Sequence, residues 1–155
     1  MNNNLSTLSF KEMKLGLKKS FEIEITDSLV NSFAELSGDF NPLHTNKDYA
    51  ISNGFENKIC HGMLLGSFFS QLIGMYLPGK NALYFSQSMN FINPCLVNEK
   101  IIIQGEVIDK SESTKIIKIK TTISDKSQKI LVDGIARVRI RNDWKFQGWN
   151  WYSFS

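Results

Sequence analysis

A chain of 155 residues has the size of one globular domain, and it can bury enough apolar surface to fold without disulfides. Hydrophobic residues make up 42% of the chain and charged residues 21%, which excludes a disordered protein. The net charge is only +3 and the lysines are scattered, whereas a nucleic-acid binder usually concentrates its basic residues on one face. We therefore predict a soluble domain that binds no nucleic acid.

The first third of the chain predicts one strand followed by helices. Apolar and acidic residues alternate over residues 20–25, which indicates a strand. Thr26 or Asp27 can cap a helix that follows and that ends at Gly38. A second, short helix is predicted over residues 47–52. The apolar face of the first helix is expected to consist of Leu29, Val30, Phe33, Ala34 and Leu36.

The rest of the chain predicts one buried helix and an antiparallel sheet. Residues 63–77 are apolar nearly all round, which is typical of a helix buried on every side. The period then changes to two, and strands are predicted over residues 83–91, 100–108, 114–124 and 129–140. Helices segregated against an antiparallel sheet make an α+β domain over residues 1–140. We expect the sheet to wrap around the apolar helix.

A C-terminal tail, residues 141–155, differs from the domain in composition. It contains all three tryptophans of the chain together with Phe146, Tyr152 and Phe154. Exposed aromatic residues would form an apolar patch, which soluble proteins usually avoid unless the patch binds something. We expect the tail to pack on its own sheet or at an oligomer contact. A lid and a docking surface for a partner are the open alternatives.

The two cysteines predict the compartment. Cys60 and Cys95 lie far apart in apolar surroundings without a CxxC spacing, which indicates buried free thiols in a reducing compartment. The N-terminal segment lacks the apolar core of a signal peptide. Residues 63–77 are too short and too polar for a membrane span. The sequence therefore predicts a cytoplasmic protein without membrane attachment.

The segment SGDFNPLH, residues 37–44, carries the clearest chemical signal. It places the Asp39 carboxylate and the His44 imidazole five positions apart on a loop that Pro42 stiffens. These two groups are the usual partners in proton transfer near neutral pH. Asn41 can bond the backbone of its own loop. On spacing alone, a helix cap followed by a polar turn explains the segment equally well.

A second signal lies immediately before the long apolar helix. Gly62 opens that helix, so its backbone N–H is free and lies at the positive end of the helix dipole. Such a donor can stabilise negative charge that develops on a carbonyl oxygen. Tight packing or a turn is the alternative explanation for this glycine.

Together these segments resemble a known family. SGDFNPLH, followed after 16 residues by HGMLLGSFFSQLIGMYLPG and later by QSMNFINPCLVNE, is similar to the MaoC-like or R-specific enoyl-CoA hydratases over residues 15–140. The resemblance implies the hot-dog fold and a catalytic pair at Asp39 and His44. It further implies that the amide of Gly62 faces a thioester carbonyl and that Ser70 lines or supports the site.

The resemblance also implies an activity. A hydro-lyase of this family adds water reversibly to a trans-2-enoyl thioester and gives the R-configured 3-hydroxyacyl thioester, with no metal or organic cofactor. The substrate carrier is coenzyme A or acyl carrier protein, and such domains usually pair into dimers. Asn41 is counted with the substrate-binding residues. The chain departs from the family at Asn98 and Glu99, where a Gly-Asp turn is more usual.

Three other functions stay open on sequence. A thioesterase or a non-catalytic acyl-binding protein could share the fold. A metal hydrolase would require Asp39, His44 and His61 to converge. His61 is expected instead to be a loop residue that bonds the backbone.

Overall fold

The structure is a computed structural model that describes residues 5–141. Its elements, in chain order, are β1 (Lys18–Glu24), α1 (Asp27–Ser37), α2 (Pro42–Thr45), α3 (Lys47–Ser52), α4 (Gly62–Gln71), a π-helix (Leu72–Tyr76), β2 (Ala82–Phe91), β3 (Lys100–Lys110), β4 (Ile116–Asp125) and β5 (Ile130–Ile140). The α+β class is confirmed. Apart from Arg141, the aromatic tail lies outside the described residues. Within residues 5–141, no helix is both long and apolar enough to cross a membrane.

The five strands form one antiparallel sheet in the order β1-β3-β4-β5-β2. All five strands were predicted, with ends that differ by at most two residues. The clearest alternation is on β4, where Ile117, Ile119, Thr121 and Ile123 are all 0% exposed. Burial of every second residue is the pattern expected of a strand in a sheet that has one covered face.

The helix that follows Gly62 packs across the covered face of the sheet. The apolar side of α4 joins β3, β4 and β5 in one cluster through Leu64, Leu65, Phe68 and Phe69, and Leu72 of the π-helix belongs to the same cluster. Ile73 and Leu77 extend this contact into a second cluster, to which the N-terminal segment adds Phe10 and Met13. The predicted arrangement of a sheet around one long apolar helix is therefore confirmed.

The prediction that this helix is buried on every side was wrong. Met63 is 56% exposed, and Ser67, Ser70, Gln71 and Gly74 are exposed as well. A sheet covers only the side of a helix that faces it, so the opposite side of α4 meets solvent in the described chain. The second half of the helix also widens into the π-helix, which an apolar pattern does not reveal.

Helix α1 begins and ends as predicted, but its apolar face is narrower. The Thr26 side chain accepts a hydrogen bond from the Leu29 N–H at 3.2 Å, and Gly38 ends the helix at φ 76°. Leu36 is 83% exposed instead of packing with the core. Six residues beyond Val30, it lies about 120° around the helix axis from that buried side chain.

Candidate active site

The loop that follows α1 contains one helical turn where the sequence predicted irregular structure. Pro42 takes the first position of α2, which suits a residue with a fixed φ and no N–H. Asn41 caps this turn, because its side-chain oxygen accepts a hydrogen bond from the Leu43 N–H at 3.0 Å. The N–H of Asn41 donates to Oδ1 of Asp39 at 3.2 Å. Asn41 therefore bonds its own loop, as predicted.

Asp39 and His44 come together across this turn. Side-chain ligand atoms of Asp39, His44 and His61 all lie within 4.8 Å of one another. Nδ1 of His44 lies 2.7 Å from the carbonyl oxygen of Ile59. Because a carbonyl oxygen can only accept, Nδ1 carries the hydrogen, and Nε2 of the neutral ring keeps a free lone pair. A carboxylate beside an imidazole acceptor can share and deprotonate a water molecule.

His61 belongs to the same cluster, which brings together the three residues that a metal hydrolase would need. It is 2% exposed, and its Nε2–H donates to the backbone carbonyl of Asp39 at 2.9 Å, so it bonds the backbone as predicted. Its ring stacks on that of His44, with centroids 3.8 Å apart and planes inclined by 31°. Lone pairs of imidazole lie in the ring plane, so two stacked rings do not aim at one ion. The arrangement disfavours a shared metal.

Gly62 is the first residue of α4, beside this cluster. The preceding residue, His61, makes no capping hydrogen bond with its side chain, which leaves the first amides of the helix available to a ligand. A Cβ atom at position 62 would lie 3.0 Å from two atoms of the Phe91 ring. Both explanations of this glycine therefore have support, since position 62 is tightly packed and also begins the helix.

The cluster opens onto a cavity of about 540 Å³. This volume falls within the range of small-molecule sites, and most of the lining is apolar. Phe91, Asn93 and Pro94, at and after the end of β2, line the cavity, and none of them was predicted to belong to the site. The motif QSMNFINPCLVNE contains all three and was the available signal. The other lining residues are Phe33, Ser37, Asp39, His44, Ile59, Cys60, His61, Gly62, Met63, Leu65, Ile92 and Cys95.

Ser70 is the predicted site residue that lies apart from the cluster. It is on α4, more than two turns beyond Gly62, and it is exposed. It does not line the cavity described above. Its part in the site stays a prediction, which requires the substrate or a second subunit to reach the exposed side of α4.

The two cysteines are free and buried, as the sequence predicted. Burial raises the pKa of Cys60 to about 12 and also raises that of Cys95 well above its ordinary value. Both thiols are therefore protonated near neutral pH. Although they line the cavity, neither has the thiolate character of a nucleophile.

Comparison with known proteins identifies the family. The model of the MaoC-like domain matches residues 10–129, and the chain belongs to this family. It is 36% identical to an (R)-specific enoyl-CoA hydratase of Aeromonas caviae, over 86% of this chain and 99% of that protein. A mitochondrial 3-hydroxyacyl-[acyl-carrier-protein] dehydratase of Arabidopsis thaliana is 33% identical, over 73% of this chain and 69% of that protein.

A solved structure agrees with this assignment. The (R)-hydratase from A. caviae involved in PHA biosynthesis superimposes with a TM-score of 0.82 at 36% identity, over 84% of this chain and 98% of that chain. The five-stranded antiparallel sheet and its helix therefore have the hot-dog fold, as the sequence predicted.

Proposed function

We propose that the chain is a hydro-lyase that adds water reversibly to trans-2-enoyl thioesters and forms (R)-3-hydroxyacyl thioesters. The observation that carries this proposal is the convergence of Asp39 and His44 beside Gly62, at an apolar cavity. The names of the two relatives, a hydratase and a dehydratase, describe the two directions of such a reaction. A thioesterase would need no pair of groups set to exchange protons with C2 and C3 of the acyl chain.

In the proposed mechanism, one water molecule lies between the Asp39 carboxylate and Nε2 of His44. One member of the pair accepts a proton as the water oxygen attacks C3 of the enoyl group. A proton is then returned to C2, so that the elements of one water are added overall. The negative charge that develops on the thioester oxygen is stabilised by the Gly62 N–H and the dipole of α4.

Two further residues complete the proposed site. Asn41 keeps the Asp39 carboxylate in place through its backbone N–H and fixes the turn through its side chain. Ser70 is proposed to donate one hydrogen bond to the substrate from the exposed side of α4. Loss of one such bond costs about 1–1.5 kcal/mol, so Ser70→Ala is expected to lower activity by about tenfold.

The substrate is proposed to be a thioester of coenzyme A or acyl carrier protein, and the active form a homodimer. Relatives named for each carrier support both choices. The two free thiols suit a reducing compartment such as the cytoplasm.

The decisive experiment follows crotonyl-CoA by two readouts at once. Loss of absorbance from the enoyl thioester without release of free thiol is the expected result, and the product should be the R enantiomer by chiral analysis. Release of thiol would instead identify a thioesterase. Binding without either change would identify an acyl-binding protein. Asp39→Asn serves as the inactive control, because it removes the carboxylate and keeps the side-chain volume.

A further inference from the structure

His61 contacts both members of the proposed catalytic pair, although no step of the proposed mechanism uses it. It is the residue before α4, between Gly62 and the segment around Ile59 that hydrogen-bonds Leu43 and His44. It is 2% exposed. A polar side chain that is buried so completely is normally held by specific partners.

The partners of His61 are the backbone of one member of the pair and the ring of the other. Its Nε2–H donates to the carbonyl oxygen of Asp39 at 2.9 Å. Its ring stacks on His44 with centroids 3.8 Å apart. Phe33 packs against the same ring, with centroids 5.1 Å apart and planes inclined by 59°. One imidazole thus contacts both ends of the loop that runs from Asp39 to His44.

Ile59, two residues earlier, holds the same loop at its other end. Its carbonyl oxygen accepts the Nδ1–H of His44 at 2.7 Å, and its N–H donates to the carbonyl of Leu43 at 3.1 Å. Replacement of His61 by a residue without a hydrogen-bond donor would therefore remove the bond at the Asp39 end while both bonds of Ile59 remain. The expected result is a change in the separation of the pair and not the loss of the loop.

The contacts of His61 indicate which ring nitrogen carries the hydrogen. Nε2 must carry a hydrogen to donate to a carbonyl, and Nδ1 is buried without a hydrogen-bond partner among the described residues. A second proton on Nδ1 would be a buried donor without an acceptor, and it would place positive charge against the ring of His44. The Nε2–H tautomer avoids both costs.

We propose that His61 is a positioning residue that fixes the separation between the Asp39 carboxylate and Nε2 of His44, and that it acts as the neutral Nε2–H tautomer. This inference rests on the proposed function, in which one water must contact both groups. A displacement of about 1 Å at a reacting centre can cost about 10²-fold in rate, so a small change in this separation has a measurable effect.

Two substitutions separate the two contacts of His61. His61→Gln retains an amide donor for the Asp39 carbonyl and removes the ring, whereas His61→Phe retains a ring against His44 and removes the donor. We expect each to lower kcat for crotonyl-CoA hydration by roughly 10- to 100-fold, with KM changed by less than about threefold. Val107→Ala is the matched control, because Val107 is 1% exposed in the second core cluster and does not line the cavity. It should lower stability and leave kcat unchanged.

The same substitutions in a His44→Ala background test whether His61 acts through the pair. A positioning residue should cost little more once the group that it positions is gone. An equal fold-reduction of kcat in the wild-type and His44→Ala backgrounds would indicate a merely structural residue and overturn the proposal. A kcat that falls only in proportion to the folded fraction would do the same.

An NMR spectrum of the wild-type protein tests the proposed tautomer of His61 even if no variant folds. The chain has two histidines, so ¹⁵N labelling of histidine resolves both rings in the full chain. We expect hydrogen on Nε2 of His61 and on Nδ1 of His44. A His61 that is doubly protonated, or protonated on Nδ1, overturns the proposal. If the wild-type protein does not hydrate crotonyl-CoA, the proposed function fails and this inference with it. If it does and the variants retain kcat, only the positioning role fails.

Discussion

At the scale of single residues, the proposed catalytic pair is oriented by backbone groups. The Asp39 carboxylate is exposed and accepts a hydrogen bond from the Asn41 N–H. The His44 ring is half-buried and donates to the Ile59 carbonyl. Both bonds leave the catalytic atoms free on the side of the cavity, because they use one carboxylate oxygen and the Nδ1 edge of the ring. Asp39→Asn can therefore keep the oxygen that accepts from Asn41, whereas His44→Ala also removes the bond to Ile59.

Replacement of either member should abolish most of the activity. We expect Asp39→Asn and His44→Ala each to lower kcat for crotonyl-CoA by about 10²–10⁴-fold, the usual contribution of a general acid–base group. The double variant should be hardly slower than either single one, because the two groups act on one water. Asp48→Asn is the control, since Asp48 is an exposed carboxylate on the neighbouring helix α3. Near-normal kcat in both single variants would contradict the assignment.

The buried thiols should be unreactive in the native protein. Because burial raises the pKa of Cys60 to about 12 and raises that of Cys95 as well, the reactive thiolate is scarce near neutral pH. We expect an aromatic disulfide reagent to modify neither cysteine in the native state and to modify both in guanidinium chloride. Rapid modification of the native protein, at the rate of the unfolded chain, would show that the cavity admits the reagent to a thiolate.

The same shift predicts a loss of stability in alkali. The pKa of Cys60 is raised in the folded state from 9.0 to about 12. The contribution of the protonated thiol to the free energy of unfolding is therefore complete below pH 9.0 and is lost as the pH rises toward 12. The free energy of unfolding, measured by urea denaturation, should decrease over this interval. Cys60→Ala should make the decrease smaller. An equally steep decrease in that variant would assign the pH dependence to other groups.

At the scale of elements, the sequence predicted strands better than helix surfaces. Period-two alternation located all five strands, and it is clearest on the central strands β3, β4 and β5, where buried residues alternate with more exposed ones. The apolar patterns of the helices, by contrast, overestimated burial at Leu36 and Met63, because an apolar side chain at the margin of a helical stripe need not reach the core. The turn α2 was missed because four residues are too few to show a helical period.

The close packing of Gly62 at the start of α4 predicts that a larger residue there lowers the rate. Gly62→Ala would place a methyl group 3.0 Å from the Phe91 ring, so the ring or the first turn of the helix must shift. We expect a roughly tenfold lower kcat, because the amide proposed to face the thioester oxygen moves with that turn. Gly74→Ala is the matched control, since a Cβ atom there meets nothing within 4 Å. Phe91→Ala should restore part of the loss, and failure to do so would locate the effect outside this contact.

At the scale of the whole molecule, the sequence identified the chemical groups but not how they meet. Asp39, His44 and Gly62 were predicted from two motifs, and the structure brings both motifs to one cavity. The stacking of His61 on His44 was not predicted, because it depends on how α4 packs beside the loop. Local spacing determines turns and caps, whereas contacts between distant segments follow from packing. The departure from the family's usual Gly-Asp turn at Asn98 has a local reason. Asn98 adopts φ 74°, where glycine is more usual and asparagine is tolerated.

The two edges of the sheet differ in a way that predicts the homodimer. Four of the seven residues of β1 are charged, and ion pairs such as Lys18–Glu106 lie along that edge. By contrast, β2 contains no charged residue, and Phe85 and Phe91 are 43% and 53% exposed on it. Charges protect an edge strand from pairing with another chain, and their absence leaves an edge open to it. A second copy is therefore expected to add to the sheet at β2.

Light scattering after size-exclusion chromatography should give twice the mass of 17.7 kDa. Phe85→Lys should shift the protein toward the monomer, because it places a charge on the apolar edge at a residue that does not line the cavity. Leu15→Lys is the control, since Leu15 is a 64% exposed apolar residue outside β2. A wild-type mass of one chain at all accessible concentrations would contradict the homodimer. A dimer that is unaffected by Phe85→Lys would move the interface away from β2.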